Sequence, residues 1–149
     1  MSKLKAAIAD ATKDAMKARE KARVATLRMV NAEIKRVEVD ERRDLADEDI
    51  LAILNRMMKQ RQDAFEQYEA AGREDLASQE RFEMTLIEEF LPEQLSDADL
   101  ETLVAKCIAD VGASSMQDMG KVMGAVKQAA AGQADMGKVS ALVKASLST

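Results

Sequence analysis

Histidine and tryptophan are absent from this chain, cysteine and proline occur once each, and aromatic residues make up only 3%. Each shortage excludes a class of function. Without histidine there is no imidazole base for a Ser-His-Asp triad or a Cys-His pair. One cysteine, Cys107, and no histidine leave too few ligands for a typical zinc site. A lone cysteine also permits no internal disulfide, which fits a reducing compartment. No apolar run approaches the roughly 20 residues of a membrane span. Lys3, Lys5 and Asp10 interrupt the apolar residues at the N-terminus, which argues against a secretory leader. The expectation is a cytoplasmic protein with no metal, no cofactor and no membrane association.

What is present is helical in character. Hydrophobic residues make up 47% of the 149 residues, and with so few aromatics the core must be built from Leu, Ile, Val, Ala and Met. Good helix formers dominate, which predicts an all-α fold. The net charge of −5 is unevenly spread: residues 1–36 carry +6, 37–91 carry −9, 92–111 carry −4 and 112–149 carry +2. Basic ends around an acidic middle are accounted for by helices that neutralise one another, or by a basic face kept for an anionic partner.

Apolar spacing places the helices. Leu4, Ile8, Ala11 and Ala15 form one stripe behind Ser2 as N-cap, and Val24, Leu27, Val30, Ile34 and Val37 form a second, with a break expected near Ala18–Arg23. Asp47 is expected to cap a helix carrying Ile50, Ile53, Leu54, Met57, Arg61, Phe65 and Tyr68, closed by Gly72 at the position that favours a left-handed residue. Leu76, Phe82, Leu86 and Phe90 mark a fourth helix. Helices over 47–71 and 74–90, joined at Gly72, predict a long antiparallel hairpin. Lys59, Arg61 and Arg73 stand in this acidic stretch and are expected to pair with Asp63, Glu66, Glu69 or Asp75 at helical spacing. Pro92, within Leu91-Pro-Glu-Gln-Leu95, sets a boundary between an N-terminal helical domain (1–91) and a C-terminal three-helix domain (92–149). Ser96 opens the first helix of the latter, Gly112 ends it, and two more follow, stopped or started at Gly132 and Asp135. Cys107 lies on an apolar stripe and reads as a core thiol.

One pattern recurs. Gln117-Asp-Met-Gly-Lys-Val-Met-Gly124 and Ala134-Asp-Met-Gly-Lys-Val139 align at an offset of seventeen residues. Asp118, three residues after Ser115, and Asp135 both suit a helix start. The glycines do not: Gly120 and Gly124 share a helix face, and each costs on the order of 1 kcal/mol against Ala in a helix interior. Two offsets remain open, close crossing by another helix or close approach of a partner's backbone.

Thr26-Leu-Arg-Met29, Lys59-Gln-Arg-Gln-Asp63, Ala71-Gly-Arg-Glu-Asp-Leu-Ala77, Leu91-Pro-Glu-Gln-Leu95 and Gly112-Ala-Ser-Ser-Met-Gln-Asp-Met-Gly-Lys-Val-Met-Gly124 together resemble the YqeY-like proteins. The resemblance implies two all-helical parts, the second similar to the C-terminal tail of the B subunit of the glutamine-dependent Asp/Glu-tRNA amidotransferase. That tail engages tRNA while the chemistry occurs elsewhere. The resemblance therefore implies a tRNA-binding or tRNA-handling accessory protein, with Gly120, Lys121, Gly124, Lys127, Lys138 and Lys144, joined by Arg23 and Arg28, as candidate contacts. A protein-interaction adaptor that docks an amidotransferase or synthetase component is the alternative. A carbon–nitrogen ligase label would be inherited from the larger enzyme, because the carboxylates on one helix, Glu80, Glu83, Glu88 and Glu89, read as a solvated face.

Overall fold

The computed structural model describes residues 2–148, which form seven α-helices and one short 3-10 turn. No strand occurs among the described residues. The chain divides into two compact units, Met1–Leu91 and Pro92–Thr149, each with its own apolar core.

In the first unit, α1 (Lys3–Lys17) and α2 (Lys21–Glu41) pack on one another, as do α3 (Asp47–Ala70) and α4 (Glu74–Glu88). Ser2 caps α1, its hydroxyl accepting from the Lys5 N–H at 3.0 Å. The break before α2 is a left-handed Arg19, φ 59°, and α2 ends on another, Arg42 at φ 54°. Gly72, φ 72°, lets the chain reverse between α3 and α4 where other residues would be strained. Ile8, Leu27, Val30, Ile34, Ile50, Leu54 and Ile87 are wholly or almost wholly buried between these helices.

Three expectations are corrected here. Asp47 does not cap α3; Ala46 holds that position, and Asp49 accepts from the Ala46 N–H at 2.9 Å. The Asp47 carboxylate instead accepts from the Ser2 hydroxyl and the Leu4 N–H, tying the start of α1 to the start of α3. Phe82 is not core: it is 40% exposed, because its position on α4 turns outward while Glu83 turns in. Glu83, expected in a solvated face, is only 8% exposed.

The second unit is a three-helix bundle of α5 (Asp97–Val111), α6 (Met119–Ala130) and α7 (Met136–Leu147), each pair in contact. Ser96 caps α5, accepting from the Asp99 N–H at 3.1 Å, and left-handed Gly112 ends it. The core joins Leu100, Val104 and Cys107 of α5 to Val122 and Val126 of α6 and Val139, Val143 and Leu147 of α7. Met119, Met123 and Met136 are partly buried and pack against this core.

Candidate nucleic-acid interface

The two Asp-Met-Gly-Lys segments are both helix starts, built differently. Met116–Asp118 is a 3-10 turn that runs into α6, and Ser115 makes no side-chain cap bond. Asp118 instead reaches back to accept from the Ser114 N–H at 3.0 Å. That bond chiefly, with help from the Ser115 N–H and the Lys121 ammonium, holds its carboxyl below the usual range. Asp135 caps α7 directly, accepting from the Gly137 N–H at 3.1 Å.

Gly120 and Gly124 are both exposed on α6. A Cβ built on either would meet no atom within 4 Å beyond the helix itself. No helix crosses them, so the first of the two offsets fails. Neither has positive φ, so turn geometry does not call for glycine either. Bare backbone is therefore presented to solvent for about one turn of helix. Lys121 and Lys127 flank it and are exposed. Lys127 and Lys144 stand in the last turns of their helices, where a cation also complements the helix dipole. Lys138 is exposed and reaches Asp97 at 3.5 Å, a surface pair of the kind worth well under about 1 kcal/mol.

The two candidates in the first unit differ. Arg28 is exposed, and its guanidinium reaches the Met16 sulfur at 3.8 Å. Arg23 is engaged: its guanidinium donates to both oxygens of Glu89, at 2.7 and 3.1 Å. The fork-on-fork bond to Glu89 holds the Arg23 proton more firmly than usual. The pair lies beside an open cavity of about 440 Å³ that Phe82 also lines.

The glutamates of α4 form no common site. Glu83 Oε2 accepts from Arg61 Nε at 3.2 Å, and Arg61 also donates to the Met57 carbonyl at 3.2 Å. Glu80 stands beside this pair; burial, and then the Glu83 charge, push its carboxyl above the ordinary value. Arg61 therefore pairs across the hairpin rather than along α3, and Arg73 pairs with Asp75 only two positions on. Helical spacing gave no signal for the Arg61–Glu83 pair, whose partners are 22 residues apart. The Cys107 thiol is buried, and burial, with Asp110 nearby, pushes it up, away from the thiolate that a nucleophile needs. Among the described residues no group of three or more Cys, Asp or Glu side chains is placed to hold a metal ion. None of their helices is long and apolar enough to cross a membrane.

A curated relative in Schizosaccharomyces pombe, an uncharacterized protein, is 34% identical over 94 residues, covering 63% of this chain and 76% of its own. The model of the Yqey-like protein family matches residues 5–147, through both helical units. The chain belongs to the YqeY-like family.

Proposed function

We propose that this protein is a non-catalytic accessory protein that binds tRNA, gripping the sugar-phosphate backbone with the exposed face of α6. The observation that carries this reading is the pair Gly120 and Gly124, exposed and with no neighbour within 4 Å. A helix that gives up about 1 kcal/mol at Gly124, and less at Gly120 in its first turn, gains nothing from it internally. A partner backbone that must come close to the helix is the remaining use, and Lys121 and Lys127 beside it supply charge for phosphate. Lys138 and Lys144 of α7 extend the basic character of the same small bundle. With no exposed aromatic in the bundle, the contact is to backbone rather than to stacked bases.

The test is a gel-shift titration with bulk tRNA at low and physiological salt. Binding at low salt that weakens steeply as salt rises is expected. Gly124→Leu should abolish it while the circular dichroism spectrum stays helical, because the space is open. No binding at low salt, or unchanged binding by Gly124→Leu, would refute the proposal.

A further inference from the structure

Three of the described methionines are exposed: Met16 at 45%, Met29 at 38% and Met116 at 41%. The other six, Met57, Met58, Met84, Met119, Met123 and Met136, are buried or half-buried. A thioether open to solvent is also open to oxidants, which convert it to a polar sulfoxide. Each exposed sulfur faces a donor. Arg28 Nη2 reaches the Met16 sulfur at 3.8 Å, Arg61 Nη2 the Met29 sulfur at 4.0 Å, and the Ser148 hydroxyl the Met116 sulfur at 3.6 Å.

The donors differ in how firmly they are held. Arg28 and Ser148 are exposed, so fixing either one on a new acceptor costs side-chain freedom. Arg61 is half-buried and already fixed at two points. Its Nε donates to Glu83 at 3.2 Å and its Nη1 to the Met57 carbonyl at 3.2 Å. Gln79 in turn donates to the other oxygen of Glu83 at 3.3 Å. The remaining arm, Nη2, is left facing Met29 of α2.

Sulfur is a weak acceptor for such a donor. Their 4.0 Å separation is longer than an N–H···O bond, which spans about 2.9 Å. The same separation suits a different acceptor. An oxygen bonded to the Met29 sulfur, accepting from the Arg61 N–H with ordinary bent geometry, puts sulfur and nitrogen about 4 Å apart. The guanidinium thus stands at the distance a sulfoxide oxygen needs.

We infer that Met29 is a modification site, at which a peroxide oxidises the thioether to a sulfoxide that Arg61 then holds. The sulfur attacks one oxygen of hydrogen peroxide. A sulfur–oxygen bond forms, the oxygen–oxygen bond breaks, and the proton of the transferred oxygen passes to the departing one, which leaves as water. Sulfur gives up two electrons and the peroxide takes them. The sulfoxide oxygen carries partial negative charge, so its bond to the guanidinium is charge-assisted. Oxidation of a packed methionine ordinarily disrupts its surroundings, because a polar group enters an apolar place. At Met29 the polar group meets a fixed cation instead, and it adds a link from α2 to the α3–α4 hairpin. Methionine sulfoxide reductases reverse the step.

The experiment treats the full chain, carrying Met16→Leu/Met116→Leu, with dilute hydrogen peroxide under native conditions and follows each methionine by peptide mass mapping. Met29 should gain one oxygen about tenfold faster, or more, than the six buried or half-buried methionines. Urea unfolding is then read from the fluorescence of Tyr68, the one tyrosine of a chain without tryptophan, which lies in α3 of the first unit. The oxidised protein should unfold at a urea midpoint about 0.5 M higher, and a sulfoxide reductase should return the midpoint to its starting value. In the same background, Met29→Gln, which offers a carbonyl oxygen near the same place, should raise the midpoint without peroxide. Arg61→Leu/Glu83→Leu removes the guanidinium and its carboxylate together, and there oxidation should lower the midpoint. Should that variant fail to fold, the oxidised and unoxidised chains that keep Arg61 still decide. Oxidation of Met29 no faster than that of the half-buried methionines, or a midpoint left unchanged or lowered by oxidation in the chain that keeps Arg61, would overturn the inference.

Discussion

Replacing Gly124 by alanine should make the C-terminal unit more stable. The position lies inside α6, its backbone is ordinary right-handed helix, and the new methyl group would meet nothing within 4 Å. Packing stays as it is, so the change acts through the unfolded chain, which alanine restricts more than glycine does. That difference is about 0.5–1 kcal/mol at an interior helical position. Gly120, second residue of α6, should give less, because the first turn has fewer intrahelical bonds to complete. Together the two changes should add about 1–1.5 kcal/mol, and each kcal/mol is worth about 4–8 °C in Tm for a unit of this size. Native-state hydrogen exchange of the α6 and α7 amides is the suitable assay, because it reads this unit apart from the first. Protection unchanged or reduced in Gly124→Ala would show that something already occupies the space, and the argument from bare backbone would fail. If the proposed function holds, the stabilised variant should also bind tRNA more weakly, a gain in stability set against a loss of function.

Other outcomes follow from particular contacts. Glu83→Leu leaves the half-buried Arg61 guanidinium with the Met57 carbonyl but without its carboxylate and should cost about 1–3 kcal/mol in urea unfolding, part of it recovered in Arg61→Met/Glu83→Leu. Equal loss in the single and double variants would mean that the pair does not set the α3–α4 packing. The Asp47 carboxyl is held below its ordinary value, first by the Ser2 hydroxyl and then by the Leu4 N–H. A depressed carboxyl contributes stability that is full above the unfolded value near pH 4 and is lost as pH falls through the folded one. Helicity of the first unit should thus hold steady from pH 7 to 5 and weaken below about pH 4, with a shallower acid limb in Asp47→Asn. Cys107, buried with its thiol pushed up, should resist iodoacetamide at pH 8 in the folded chain and react promptly in denaturant; rapid labelling of the native protein would place it at the surface.

Much of the architecture was legible because it rests on local rules. Ser2, Ser96 and Asp135 each cap the helix expected of them, and Gly72, Gly112 and Gly132 take the positive φ that the ends of helices favour. Where the chain uses other residues for that conformation, at Arg19, Arg42 and Ala131, composition carries no trace of it. The inward turn of Glu83 and outward turn of Phe82 were hidden for a different reason. Adjacent positions on α4 compete for one buried place, and the winner is chosen by Arg61, far away in sequence.

The bond from Ser2 to Asp47 also bears on the order of assembly. Ser2 supplies the cap of α1, but its hydroxyl is fixed by a carboxylate 45 residues further along. As the chain emerges from synthesis, α1 and α2 can form their hairpin well before that anchor exists. Only once Asp47 is in place does the start of α1 gain its second tie, through the Ser2 hydroxyl and the Leu4 N–H, so the leading turns of α1 and α3 should open and close as one unit.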